Sequence, residues 1–99
     1  MFVVRDIMYC KPGKVRPMVE KFLALSKLGA TIGMPTMRVM TDVSAERYWT
    51  VVAEMDIASM AAHEEMMKKT MGNPEFQKIM KDYHDLVEGG RREIYSLEG

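Results

Sequence analysis

The order of elements along this 99-residue chain reads β-α-β-β-α-β, the split-βαβ arrangement of an α+β, ferredoxin-like fold. Three observations give that order. Stretches rich in β-branched, aromatic and alternating apolar residues occur at Phe2–Tyr9, Thr36–Thr41, Arg47–Asp56 and Arg91–Leu97. Apolar residues recur at helical spacing in the two segments that separate the first strand from the second and the third from the fourth. Gly, Pro and Asn mark the borders. Right-handed crossovers place both helices on one face of a four-stranded antiparallel sheet.

The first strand carries apolar residues on both faces, Phe2, Val4 and Met8 on one and Val3, Ile7 and Tyr9 on the other. A strand covered on both sides has this pattern. Lys11-Pro12-Gly13 turns the chain. Val15, Met18, Val19, Phe22 and Leu25 then form the inner stripe of a helix over 15–28, with Pro17 tolerated in its first turn and Gly29 as its stop. Residues 42–46 read as the loop of a hairpin between the second and third strands. In the third strand Trp49, Val51, Ala53 and Met55 form the helix-facing row; Tyr48, Thr50, Val52 and Glu54 form the other. Ser59 is the expected N-cap of the second helix, whose inward stripe is Met60, His63, Met67 and Met71. Glu64–Lys68 and Glu65–Lys69 mark its solvent face. Gly72-Asn73-Pro74 breaks or kinks it, Phe76, Ile79 or Met80, Tyr83 and Val87 continue the stripe, and Gly89-Gly90 ends it before the last strand.

Fourteen basic and fourteen acidic side chains cancel, so the chain lacks the basic footprint of a nucleic-acid binder. No apolar run reaches the roughly 20 residues of a membrane span, and no secretory signal pattern is present. With one cysteine, Cys10, no internal disulfide forms, and the expected location is the cytoplasm. Cys10 itself reads as a strand-end hydrophobe rather than a nucleophile. The row Tyr48, Thr50, Val52 and Glu54 is too apolar for water and too polar for the core of a single chain, which predicts a homodimer through the sheet face.

His63 is the expected catalytic residue, an imidazole on the inward stripe able to act as a general base near neutral pH. Trp49, Tyr83, His84, Arg5 and Asp6 are candidate ligand contacts. Trp49 offers a ring for stacking or simply the largest core side chain. Tyr83 offers a hydroxyl, and His84 borders the same stripe. Arg5 and Asp6 interrupt an apolar strand on opposite faces. Each either meets a ligand or joins an ion pair across strands with Arg38, Glu54 or Glu93. Arg91-Arg92 reads as a solvated strand start. No metal is expected: Met37 and Met40 point to opposite faces, Met34 lies in a loop, and no zinc, phosphate or dinucleotide motif is present.

Lys11-Pro12-Gly13-Lys14 after the first strand and Arg92-Glu93-Ile94-Tyr95 in the last resemble NIPSNAP-like members of the dimeric α/β-barrel superfamily, which also includes the antibiotic-biosynthesis-type monooxygenases. The resemblance implies a single domain over 1–99 and a ligand cavity between sheet and helices. It spans several reactions and selects none. The Asn, Trp and His set of haem-degrading relatives is not reproduced, because Asn73 falls in the helix break and Trp49 on a strand, leaving His63 alone. The expected protein is a small homodimer with an apolar cavity between sheet and helices. The most concrete enzyme hypothesis, drawn from the resemblance, is a cofactor-free monooxygenase or cyclase acting on a planar aromatic or polyketide-like compound. The alternative is a non-catalytic small-molecule-binding or stress-response dimer. Of the twelve methionines, Met18, Met55, Met60, Met67, Met71 and Met80 fall on predicted inward stripes.

Overall fold

The computed structural model describes residues 1–99. Strand β1 spans Phe2–Cys10, helix α1 Val15–Thr31, β2 Met37–Thr41, β3 Thr50–Ile57, α2 Met60–Met71, α3 Pro74–Ile79 and β4 Val87–Ser96, with one 3-10 turn at Tyr83–Asp85. The sheet order is β2-β3-β1-β4 and every pairing is antiparallel. The helices lie on one face, so the architecture is the expected ferredoxin-like α+β fold. The slab is 18 Å through its thin axis, enough for one sheet and one helix layer. No helix covers the second sheet face; the loop between β2 and β3 reaches over one end of it, where Arg47 meets Tyr9.

The core forms where the expected stripes meet. Met18, Val19, Phe22 and Leu25 of α1 pack with Met8 and Cys10 of β1 and Val51 and Ala53 of β3. Val4, Met55 and Ile57 form a smaller cluster at the far end of the sheet. Each of the Val, Leu, Ile, Phe and Met side chains among them contributes roughly 1.5–3 kcal/mol of apolar burial. The predicted caps form: Ser59 Oγ accepts from the Ala62 N–H at 3.1 Å, and Asn73 Oδ1 from the Glu75 and Phe76 N–H groups.

The element boundaries depart from the sequence reading at three places. Helix α1 continues through Gly29, which is buried against Met34; a methyl group there would sit 3.2 Å from Met34 Cβ. The stop is Gly33 at φ +77°, where the Met34 N–H bonds back to the Gly29 carbonyl at 2.9 Å. The hairpin loop is longer than expected. Trp49 has φ +61°, which breaks the pleat, so β3 starts at Thr50 and Arg47, Tyr48 and Trp49 belong to the loop.

The third departure is the segment from Phe76 to Val87. It half-buries the expected stripe against the core but is not one helix. Lys21 Nζ of α1 donates to the carbonyls of Ile79 and Lys81, fixing the end of α3, and Asp82 turns the chain at φ +66°. Gly89 and Gly90 then lie inside β4, not at a helix end. A Cβ on Gly90 would collide with the Ile7 carbonyl oxygen, so glycine lets β4 approach β1 closely.

The open face is ordered by charge. The registers align Arg38, Glu54, Arg5 and Glu93 in one row across all four strands, alternating in sign. Glu54 bonds both Arg5, at 2.8 Å, and Arg38, at 2.7 Å. Those two guanidinium groups hold its carboxyl below the usual carboxylate range, Arg38 contributing most. Arg47 stacks over the Tyr9 ring at 4.2 Å and Arg5 over Tyr95 at 5.5 Å. Ile7 is buried and Val52 half-buried within this lattice.

Candidate functional site

Pleat and helix periods together leave a space between the layers. The even residues of β1 face the helices, which brings Asp6 and Met8 to one wall. Phe22 and Leu25 of α1, His63 and Met67 of α2, and the Tyr83 turn form the other. The cavity between them has a volume of about 560 Å³, within the range of small-molecule sites. Half of the twelve methionines line it: Met8, Met34, Met37, Met55, Met67 and Met80. Met60 and Met71, expected on the inward stripe, are exposed instead, because α2 turns its 63–67–70 edge toward the sheet. Met34 reaches the wall from the loop after α1, where its sulfur accepts from the Thr70 hydroxyl at 3.4 Å.

His63 is 6% exposed, and its Nδ1 has no hydrogen-bond partner. It is the one buried side-chain polar atom of the chain left so. Buried polar groups normally find a partner, and an orphan in a cavity wall marks a place where a ligand or water completes the set. Tyr83 lines the same cavity, with its ring edge-on to Phe22 at 6.4 Å. Burial, reinforced by the Asp6 charge, pushes its hydroxyl above the usual tyrosine value, so it stays a neutral donor.

Asp6 and Arg5 separate as their alternation requires. Asp6 faces the cavity and holds Arg92 through an Nε–Oδ1 bond of 2.6 Å. Arg5 lies on the open sheet face in its pair with Glu54 and does not reach the cavity. Trp49 is 45% exposed in the loop and lines no part of the cavity, since the positive φ carries it out of the β3 row. His84 is exposed, stacked edge-on against Tyr83 at 5.3 Å outside the cavity. Cys10 is buried; burial and the Asp42 charge push its thiol up, away from a reactive thiolate.

Arg92 is the site residue that sequence reasoning missed. Its register partner Asp6 is the only signal that marks it, and that pairing exists only once β4 lies beside β1. No cluster of three metal-binding side chains is present. No helix is long and apolar enough to cross a membrane.

No family model matches the sequence, and no curated protein is significantly similar to it. Solved structures are similar over nearly the whole chain. A NIPSNAP family protein of Agrobacterium tumefaciens superposes with a TM-score of 0.85 at 15% identity, covering 98% of this chain and 92% of that one. An uncharacterised NIPSNAP domain protein of Burkholderia xenovorans gives 0.82 at 15%, covering 99% and 95%. A protein of Deinococcus radiodurans, provisionally assigned as an antibiotic biosynthesis monooxygenase, gives 0.72 at 9%, covering 100% and 94%. The chain shares the fold of these proteins. At these identities the likeness describes the backbone, and the site has to be read from its own residues.

Proposed function

We propose that this protein binds a planar aromatic or polyketide-like compound in the methionine-lined cavity and that His63 removes a proton from it. The reaction class is that of a cofactor-independent monooxygenase or cyclase. The working form is a homodimer joined through the open sheet faces.

The observation that carries this reading is the unpartnered, buried Nδ1 of His63 in the wall of an apolar space of about 560 Å³. A phenol or enol supplies both things the cavity lacks: a flat apolar body and one hydroxyl for the imidazole. Transfer of its proton to His63 leaves an electron-rich anion next to an imidazolium. The two charges form together as a pair, and the neutral Tyr83 hydroxyl lies in the same wall as a donor. Such an anion is open to attack by oxygen, or cyclises as an enolate. The monooxygenase assignment of the Deinococcus protein agrees with that class by analogy of fold.

Thermal shift and oxygen uptake with 2-naphthol and related fused-ring phenols and dihydroxynaphthalenes test the reading. Binding raises the melting temperature by several degrees, since about 1 kcal/mol of ligand stabilisation shifts a domain of this size by about 4–8 °C. His63→Ala is expected to keep the shift and lose turnover. Turnover that survives His63→Ala contradicts the role of His63. A wild-type shift with no turnover on any compound assigns the cavity to binding alone.

A further inference from the structure

We infer that the compound held in the cavity is an aromatic carboxylic acid, its carboxylate seated on Arg92 and Lys68 in the cleft outside His63; this rests on the ligand-binding reading above. His63, Met67 and Arg92 line both the apolar cavity and a second, outward-facing cleft. The partition between the two spaces is therefore only as thick as those side chains. Apolar surface dominates the inner space. The outer cleft holds Glu64, Lys68 and Arg92 beside His63, two fixed cations against one carboxylate.

Both cations have donors to spare. Arg92 spends its Nε, and at 3.5 Å its Nη2, on Asp6, while Nη1 makes no bond within the chain. Asp6 thus anchors the guanidinium and leaves one edge presented to a ligand. Lys68 is one helical turn beyond Glu64, yet the two form no ion pair, and Lys68 is exposed with no partner. An aromatic ring in the cavity with its acid group pointing outward past His63 meets those donors. A hydrocarbon or a neutral ester of the same shape leaves them unsatisfied. Charge-assisted bonds from Arg to a carboxylate are among the stronger polar contacts.

The test is titration of the purified protein with 2-naphthoic acid, methyl 2-naphthoate and 2-naphthol. The acid is expected to bind about 10-fold more tightly than the ester, the yield of one charge-assisted contact. Lys68→Met, outside the apolar cavity, should shrink that preference while leaving the affinity for the ester unchanged; Arg92→Met should also shrink it, with some loss of ester affinity because Arg92 lines the cavity wall as well. Where Arg92→Met fails to fold, Lys68→Met and the salt dependence of the wild type decide, because the preference for the acid must fall as ionic strength rises. Equal binding of acid and ester, or a preference indifferent to both Lys68→Met and salt, overturns the inference. If 2-naphthol binds in that case, the cavity reading stands without it. If none of the three compounds binds, the cavity reading fails and this inference with it.

Discussion

One absent atom at position 90 sets the distance between the two strands that carry Asp6 and Arg92. A methyl group there meets the Ile7 carbonyl oxygen and the Met8 Cα, both backbone and neither able to swing away. Gly90→Ala is therefore expected to destabilise the chain by about 1–3 kcal/mol, the usual cost of overpacking. It should also loosen the Asp6–Arg92 bond; a denaturant titration reads the first effect. Glu54 makes a prediction in pH. Its carboxyl is held below the ordinary range by Arg38 and Arg5, so the folded state binds a proton there less readily than the unfolded chain. The stabilisation is complete above the ordinary carboxylate range and is lost as pH falls through the depressed folded value. Glu54→Gln should cost about 0.5–1 kcal/mol at pH 7 and low salt, both arginines being well exposed, and should flatten the acid limb of the stability curve. An acid limb unchanged in the variant would count against the bridge. His63 was legible in the sequence because helix periodicity puts it at the middle of the inward stripe, which stays turned to the sheet while Met60 and Met71 at its ends are exposed. Arg92 was not, because its meaning depends on Asp6, 86 residues away along the chain.

At the scale of elements, the capped helix starts were readable, while the end of α1 and the starts of β3 and β4 were not. Ser59 and Asn73 are short polar side chains ahead of apolar stripes, and each caps as its position predicts. Endings turn on glycines, and this chain offers several with different work. Gly29 is a packing glycine against Met34, and Gly33 is the conformational one at φ +77°. Gly33→Ala should thus cost about 1 kcal/mol, seen as a fall of about 4–8 °C in melting temperature, because only its backbone angle is at stake and nothing lies near its missing Cβ. Trp49 misled the strand reading for a related reason. Alternation continues through it in the sequence, but its left-handed backbone ends the pleat, and no composition signal announces a tryptophan with positive φ.

For the molecule as a whole, the proposed homodimer rests on the sheet face away from the helices. That face carries a balanced row of alternating charges around Ile7 and Val52, so two copies meeting there by a two-fold axis face no net repulsion. Light scattering at micromolar concentration should return the mass of two 11.4 kDa chains, with a melting temperature that rises with protein concentration. Val52→Lys should weaken association at least about tenfold by placing an unpaired charge in the contact. A single-chain mass at that concentration would falsify the dimer. The βαββαβ order, the sheet face given to the helices and the apolar interior were all present in the sequence as periodicity. The emptiness of that interior was not, since a stripe of methionines has the same pattern whether it fills a space or encloses one. That soft lining has a consequence for selectivity. Unbranched thioethers re-form around guests of different outline by rotating single bonds, at little energetic cost. A wall of this kind is forgiving of a ring more or a methyl less. On the proposed ligand-binding reading, discrimination among related compounds then falls to the few fixed polar atoms at one end, which sorts guests by where their oxygens lie rather than by their size.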